Sequence, residues 1–386
     1  MNENNVSIHG HCHLDEYGAI IPPIYLSVVY EYIDYEKKLA VFNDRGYYVR
    51  YSREENPTVR ALERILAKLE EGFDALSFNT GMSAIMTLLL RVIKPGSKVI
   101  VPYEVYGGTL ALLENLAGRI GFKLVKVWPS AESILEAVNN ENEPVIVFTE
   151  VLTNPMLRVI DLEVLFKELG ENTILIVDNT FTTPLLVKPL KYGARYVVHS
   201  LTKYIAGHND VLGGIVVSKG KDEELWNWRS LAGTILQPFE AYMTMRGLKT
   251  LGLRFEKQSR TALEIAEYLS GHSRVEEVYY PGLKTSPYYS VANKLFERKL
   301  YGGVLSFRIK GGYEEAVEFM KKLRVIKRAP SLGGTESMAM LPSKAASMHI
   351  PVDIRAKLGI VDNLVRLSIG LEDKEVLIED IDKALG

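Results

Sequence analysis

Apolar and polar positions follow two rhythms along the 386-residue chain. Short β-branched runs recur at KVIV (98–101), KLVKV (123–127), VIVF (145–148), ILIV (174–177), YVVH (196–199) and GIVV (214–217). Each is bounded by Pro, Gly, Asn or Asp, which predicts short buried strands. Between several of them apolar residues repeat at helical spacing, as in ALLENLAGRI (111–120) and IDLEVLFKEL (160–169). That alternation predicts an α/β fold, a mostly parallel central sheet with helices on both faces. After about residue 245 the pattern changes. A helical stretch, RTALEIAEYLS (260–270), leads to VEEVYY (275–280), GGVLSFRI (302–309) and LVRLSI (364–369), which predicts a smaller α+β C-terminal domain. Residues 1–54 are rich in Tyr, Pro and Gly without periodicity and read as an N-terminal arm. The expected division is therefore an arm over 1–54, a large domain over 55–245 and a C-terminal domain over 246–386. There is no internal repeat and no low-complexity linker.

In such sheets ligands sit beyond the carboxyl ends of the strands, so the residues after each run are the candidates for chemistry. ILIV ends in Asp178, either a turn residue or an acid for a protonated ring nitrogen. YVVH delivers Ser200, Thr202 and Lys203. The lysine is either the polar end of a strand or an amine that forms a Schiff base, with the hydroxyls holding an anion beside it. VIVF delivers Glu150 and then TNP (153–155), and KVIV delivers PYEVYGGT (102–109). Tyr106 in that stretch either packs in the core or lies flat on a ring. In SFNTGMSAI (77–85), Asn79 or Thr80 caps a helix beginning near Gly81, whose free N–H groups form an anion site. Each feature alone has an equally good structural explanation. Together, a phosphate cradle, an aromatic plate, an acid for a ring nitrogen and a lysine for an aldehyde are what pyridoxal 5′-phosphate requires.

Composition narrows the alternatives. Lys and Arg total 46 against 48 Asp and Glu, a net −2, so no global field draws nucleic acid or an anionic membrane. The single cysteine, Cys12, excludes an intrachain disulfide and a cysteine-rich metal site. The opening MNENNVSIHG lacks the regions of a signal peptide, and no apolar run reaches membrane-span length, so a soluble, cytoplasmic protein is expected. Nucleotide and dinucleotide glycine fingerprints are missing. The tract HGHCH (9–13) has no carboxylate spacing to complete a metal site, and no metal is expected.

The ordered series YSREENPT, NTGMSAI, VYGGT, TNP, VDNTF, HSLTKYIAGHNDVLGG, RGLKTL and SLGG resembles the Cys/Met-metabolism family of pyridoxal-phosphate enzymes over nearly the whole chain. That family includes cystathionine γ-synthase, cystathionine γ-lyase, methionine γ-lyase and the O-acylhomoserine sulfhydrylases. The resemblance implies a fold-type-I transferase architecture and a homotetramer built from dimers that complete each other's active sites. It implies that Lys203 holds the cofactor and then moves protons, and that Asp178 pairs with the ring nitrogen. Gly81 and Met82 would give backbone N–H groups to the phosphate, and Ser200 and Thr202 their hydroxyls. Tyr106 would stack on the ring and assist departure of the γ-substituent, and Asn154 would bond the ring's phenolic oxygen or the substrate. Tyr51 and Arg53 would reach the phosphate of the neighbouring subunit. Arg366 would clamp the substrate α-carboxylate with a fork that lysine cannot reproduce, and Ser331 would help position the substrate.

The implied activity is γ-elimination or γ-replacement on sulfur amino acids or homoserine esters, in transsulfuration and methionine or cysteine metabolism. The alternatives are methionine γ-lyase or O-acylhomoserine sulfhydrylase activity, β-elimination of the cystathionine β-lyase type, and a non-catalytic cofactor-binding protein. Departures from the family pattern bear on the substrate. Pro330 stands where cystathionine-handling members usually have glutamate, and Ala111 where O-succinyl-using synthases have arginine. Gly108 replaces the cysteine typical of methionine γ-lyases, and Val151 and Leu152 replace the usual small residue and proline. Specificity is expected to be relaxed, unless Arg50, Lys327 or Arg328 supplies a replacement charge.

Overall fold

The computed structural model describes residues 2–11, 17–31, 45–46, 49–138, 145–345, 347–348 and 350–386. Cys12 and His13 of the histidine tract lie outside them, as do Ala346 and His349 of the stretch LPSKAASMH (341–349), which is irregular for the family the sequence resembles.

The six predicted runs become six strands of a seven-stranded sheet, joined by a strand that no run announced. The strands are β1 (Asp74–Phe78), the unannounced one, then β2 (Lys98–Pro102), β3 (Lys123–Val127), β4 (Val145–Glu150), β5 (Thr173–Asp178), β6 (Tyr196–Ser200) and β7 (Gly214–Ser218), in the order β1-β7-β6-β5-β4-β2-β3. Strands β3, β2, β4, β5 and β6 run parallel. Only β7 breaks the direction, pairing antiparallel with β6 and β1. The apolar runs are continuous because both faces are covered. Val99, Val101, Ile146, Phe148 and Ile176 pack with Leu88 and Leu89 of the helix Gly81–Val92. Ile100, Val147 and Val177 face the opposite way, into the core that contains Leu62 and Leu66 of the helix Pro57–Leu69.

The strand β1 escapes the hydrophobic pattern. Its sequence DALSF carries Asp74 and Ser77, and the structure buries both with partners. Asp74 pairs with Arg45 and Arg60, and Ser77 bonds to Glu63 through its backbone N–H and its hydroxyl. Buried polar groups satisfied in this way read in a sequence as a surface loop.

A 20-residue helix, Leu251–Ser270, leads into the second sheet. This contains β8 (Val275–Tyr279), β9 (Val304–Ile309), β10 (Lys327–Arg328), β11 (Met338–Met340) and β12 (Leu364–Ser368), in the order β10-β11-β12-β9-β8. No helix among the described residues is long and apolar enough to cross a membrane.

Candidate active site

The carboxyl ends of β4, β5 and β6 open into a cavity of about 550 Å³, closed on its far side by residues 330–332, Met340 and Arg366. Of the twelve residues singled out in the sequence, ten line it: Gly81, Met82, Tyr106, Asn154, Asp178, Ser200, Thr202, Lys203, Ser331 and Arg366. Tyr51 and Arg53 do not. Arg53 donates to the carbonyl and hydroxyl of Ser230 and lies over the Tyr51 ring, away from this chain's own cavity.

One end of the cavity is a helix start. Thr80 caps the helix Gly81–Val92 by accepting the N–H of Ser83 at 2.9 Å. The N–H groups of Gly81 and Met82 remain as the orphan donors every helix start carries, with the positive end of the dipole behind them. Ser200 flanks the helix start so closely that a Cβ at position 81 would lie 3.1 Å from the serine Cβ. The Thr202 hydroxyl accepts the N–H of Gly213 at 3.1 Å, which holds the turn after β6 in place.

Asp178 ends β5 beside this cradle. It accepts the N–H of Thr180, and the Thr180 hydroxyl accepts the N–H of Ser200 at 2.9 Å, so the ends of β5 and β6 are locked together. Burial pushes the Asp178 carboxyl above the ordinary carboxylate value, against the lowering effect of the Thr180 bonds and nearby His199. Among the described residues no lysine or arginine pairs with it. A cation at this point would restore its charge, and a protonated pyridine nitrogen is such a cation.

Lys203 is partly buried, and burial with the field of Arg366 pushes its amine down to about 8. A substantial share is therefore neutral near physiological pH and able to attack an aldehyde. Its Nζ donates to Ser331 Oγ at 2.7 Å. Arg366, on β12, is 4% exposed and donates to Asn154 Oδ1 and the Ser331 carbonyl, both at 2.9 Å. Its Nε has no partner, and among the described residues no carboxylate faces it. A buried guanidinium held only by neutral acceptors is a receptor for an anion.

Tyr106 is 47% exposed and belongs to the cavity wall rather than the core. Gly108 makes room for it, since a Cβ there would meet the tyrosine ring at 2.7 Å and the Met82 sulfur at 3.1 Å. The segment that follows Asn154 is held by Glu104, which accepts the N–H of Met156 at 2.7 Å and Arg158 Nε at 2.8 Å.

The apolar wall was not apparent in the sequence as a group. Leu152, Phe181, Leu212, Pro330, Leu332 and Met340 converge on the cavity from separate segments. Glu150 and Thr180 also line it, and strand-end position was their only sequence signal. Ala111 is not part of the lining. Arg50 pairs with Glu54, and Lys327 and Arg328 stand exposed on β10, so none of the three brings a charge into this chain's cavity.

The cradle, the buried acid without a cation, the depressed lysine and the plate fit pyridoxal phosphate. Comparison with known proteins agrees. A model of the Cys/Met metabolism PLP-dependent enzymes matches residues 4–386. The cystathionine gamma-lyase of Bacillus subtilis is 38% identical over 392 residues, covering 100% of this chain and 99% of the relative. An L-methionine gamma-lyase of Pseudomonas deceptionensis is 36% identical, covering 98% and 95%. The crystal structure of a cystathionine gamma synthase from Xanthomonas oryzae pv. oryzae, in complex with aminoacrylate and cysteine, superposes with a TM-score of 0.92. It is 36% identical and covers 100% of this chain and 98% of that one. With cavity and whole-chain likeness pointing the same way, the chain belongs to the PLP-dependent enzymes of Cys/Met metabolism.

Proposed function

We propose that the protein catalyses elimination or replacement at the γ-carbon of sulfur amino acids or homoserine esters, as its relatives' names suggest. The observation that carries this reading is Arg366, a buried guanidinium without an anionic partner among the described residues, facing the same cavity as Lys203. Such a fork binds an α-carboxylate and fixes which end of an amino acid lies over the lysine.

Pyridoxal phosphate, when bound, supplies an electron sink for charge that develops at the substrate's α- and β-carbons. The chain does the rest. Asp178 would keep the ring nitrogen protonated, and the helix start with Ser200 and Thr202 would hold the phosphate. Lys203, its amine pushed down to about 8, would take the proton from Cα in its neutral form, give that proton back to the bound substrate–cofactor pair, and, neutral again, take one from Cβ. Tyr106 carries a proton to the departing γ-substituent. Asn154 and Ser331 hold Arg366 and Lys203 in register.

Beyond Glu150, Asp178, Lys203 and Arg366, the cavity wall carries no other charged side chain among the described residues, and Leu152, Phe181, Leu212, Pro330 and Met340 are available to the distal end of a substrate held by Arg366. This supports a pocket for small or uncharged γ-substituents, such as methylthio, thiol or acetoxy, handled comparably with cystathionine. Loss of a charged contact costs about ten- to a hundredfold in specificity. Product analysis with cystathionine, methionine, homocysteine and homoserine esters tests the reading. 2-Oxobutanoate marks γ-elimination, while pyruvate from cystathionine would replace the proposal with β-elimination. A preference for cystathionine of about a thousandfold over methionine would defeat the relaxed pocket.

The proposal extends to a homo-oligomer, a dimer of dimers, in which Tyr51 and Arg53 complete a neighbour's site. Their position outside this chain's cavity supports it, as do exposed Leu26 and Val29 on the arm. It extends also to the limits 1–54, 55–245 and 246–386, and to a cytoplasmic location, which suits a chain with one cysteine.

A further inference from the structure

Glu150 is the polar group of the cavity for which the chemistry above has no use. It ends β4 in direct register with Asp178 on β5, so two carboxyl groups stand side by side at the floor of the site. It is only 5% exposed. One oxygen, Oε1, accepts the N–H of Tyr106 at 2.7 Å, at the entrance to the helix Gly107–Leu116. The other, Oε2, is buried and has no partner. The charged groups around it are Asp178 on β5 and Glu104 after β2, and the cation near Glu104, Arg158, is bound to that residue.

We propose that Glu150 is a positioning residue of this active site, setting the ring of Tyr106 over the cavity by holding the start of its helix against the end of β4. Among the described residues no other side chain bonds to the start of this helix. The helix start has no side-chain cap of its own, and the tyrosine ring is half exposed. A carboxyl from the neighbouring strand replaces the cap and fixes the plate relative to the acid that faces the ring nitrogen.

Protonation suits the role. Burial, then the adjacent Asp178, pushes the Glu150 carboxyl well above its ordinary value. A proton on Oε2 leaves Oε1 as the acceptor for Tyr106 and leaves Asp178 as the charged member of the pair.

The inference rests on the cofactor-bearing cavity and on no particular substrate, so a wrong substrate assignment leaves its test intact. Three variants of the holoenzyme are compared by the visible circular dichroism of the bound cofactor, by affinity for added pyridoxal phosphate, and by kcat and KM. Glu150→Gln keeps an acceptor at the same reach and is expected to stay within about threefold of wild type in every readout. Glu150→Ala removes the acceptor, and Glu150→Asp withdraws it by one methylene while keeping the acid. Both are expected to lose at least about half of the dichroism and about ten- to a hundredfold in kcat, with KM moving less than about threefold. The aspartate variant preserves a buried acid should the alanine variant fold poorly. Wild-type dichroism and kcat in Glu150→Asp would overturn the inference, as would a glutamine variant as impaired as the other two.

Discussion

Lys203 Nζ and Ser331 Oγ lie 2.7 Å apart across 128 residues of sequence, joining the turn after β6 to the loop that precedes β11. Ser331 holds a backbone φ of +94°, a region that residues with a side chain rarely occupy. Its carbonyl accepts Arg366 Nη2 at 2.9 Å while its hydroxyl accepts the lysine. A single strained residue thus presents two acceptors, one to the amine and one to the carboxylate receptor.

The lysine's environment sets a pH dependence. Its amine is pushed down from 10.5 to about 8, first by burial and then by Arg366. Capture of pyridoxal phosphate by the cofactor-free protein requires the neutral amine. Its rate, followed by visible absorbance, is expected to rise about tenfold per pH unit below 8 and to level off above it. Borohydride should then fix the cofactor to the peptide containing Lys203, and modification of another lysine would refute the assignment. Stability follows the same shift. The folded state binds fewer protons than the unfolded one between about 8 and 10.5, so the cofactor-free protein should gain stability as pH rises through that window.

Arg366→Lys should separate substrate binding from cofactor binding. A lysine can hold neither the paired bonds to Asn154 and Ser331 nor a two-pronged grip on a carboxylate. A fall of about ten- to a hundredfold in kcat/KM is expected, from loss of a charged contact, with the cofactor's absorbance unchanged. Steady-state kinetics beside a spectrum of the same preparation checks both halves.

Asp178→Asn should fold and bind cofactor, because the amide oxygen still accepts the N–H of Thr180. The amide cannot stabilise a protonated ring nitrogen, and turnover should fall by at least about a hundredfold. Near wild-type turnover in the variant would remove Asp178 from its role.

Mixed oligomers address Arg53. Arg53→Ala and Lys203→Ala proteins should each be nearly inactive alone. Reassembled together they should regain activity, because one site of a mixed pair contains both wild-type residues. Absence of recovery with subunit exchange verified by mass spectrometry would count against a shared site.

The sequence by itself determined six of the seven strands of the central sheet, because strands buried on both faces are apolar throughout and cannot hide in alternation. It also determined the order of residues at the strand ends, and with it the likeness to the family and the candidate roles of Lys203, Asp178 and Arg366. Tertiary structure decided what depends on pairing across distance. The strand Asp74–Phe78 was hidden because its polar residues are satisfied by Arg45, Arg60 and Glu63. The reversed direction of β7 leaves no trace in the pattern GIVV, since burial is the same for either direction. Arg366 and Asn154 meet across 212 residues, and only the packing of the second sheet against the first brings them together. Glu150 reads as the polar end of a strand until the neighbouring helix start lends it the N–H of Tyr106 and burial withholds a partner from its second oxygen. Local sequence carries burial and periodicity; the meeting of two side chains from different strands is a property of the closed fold.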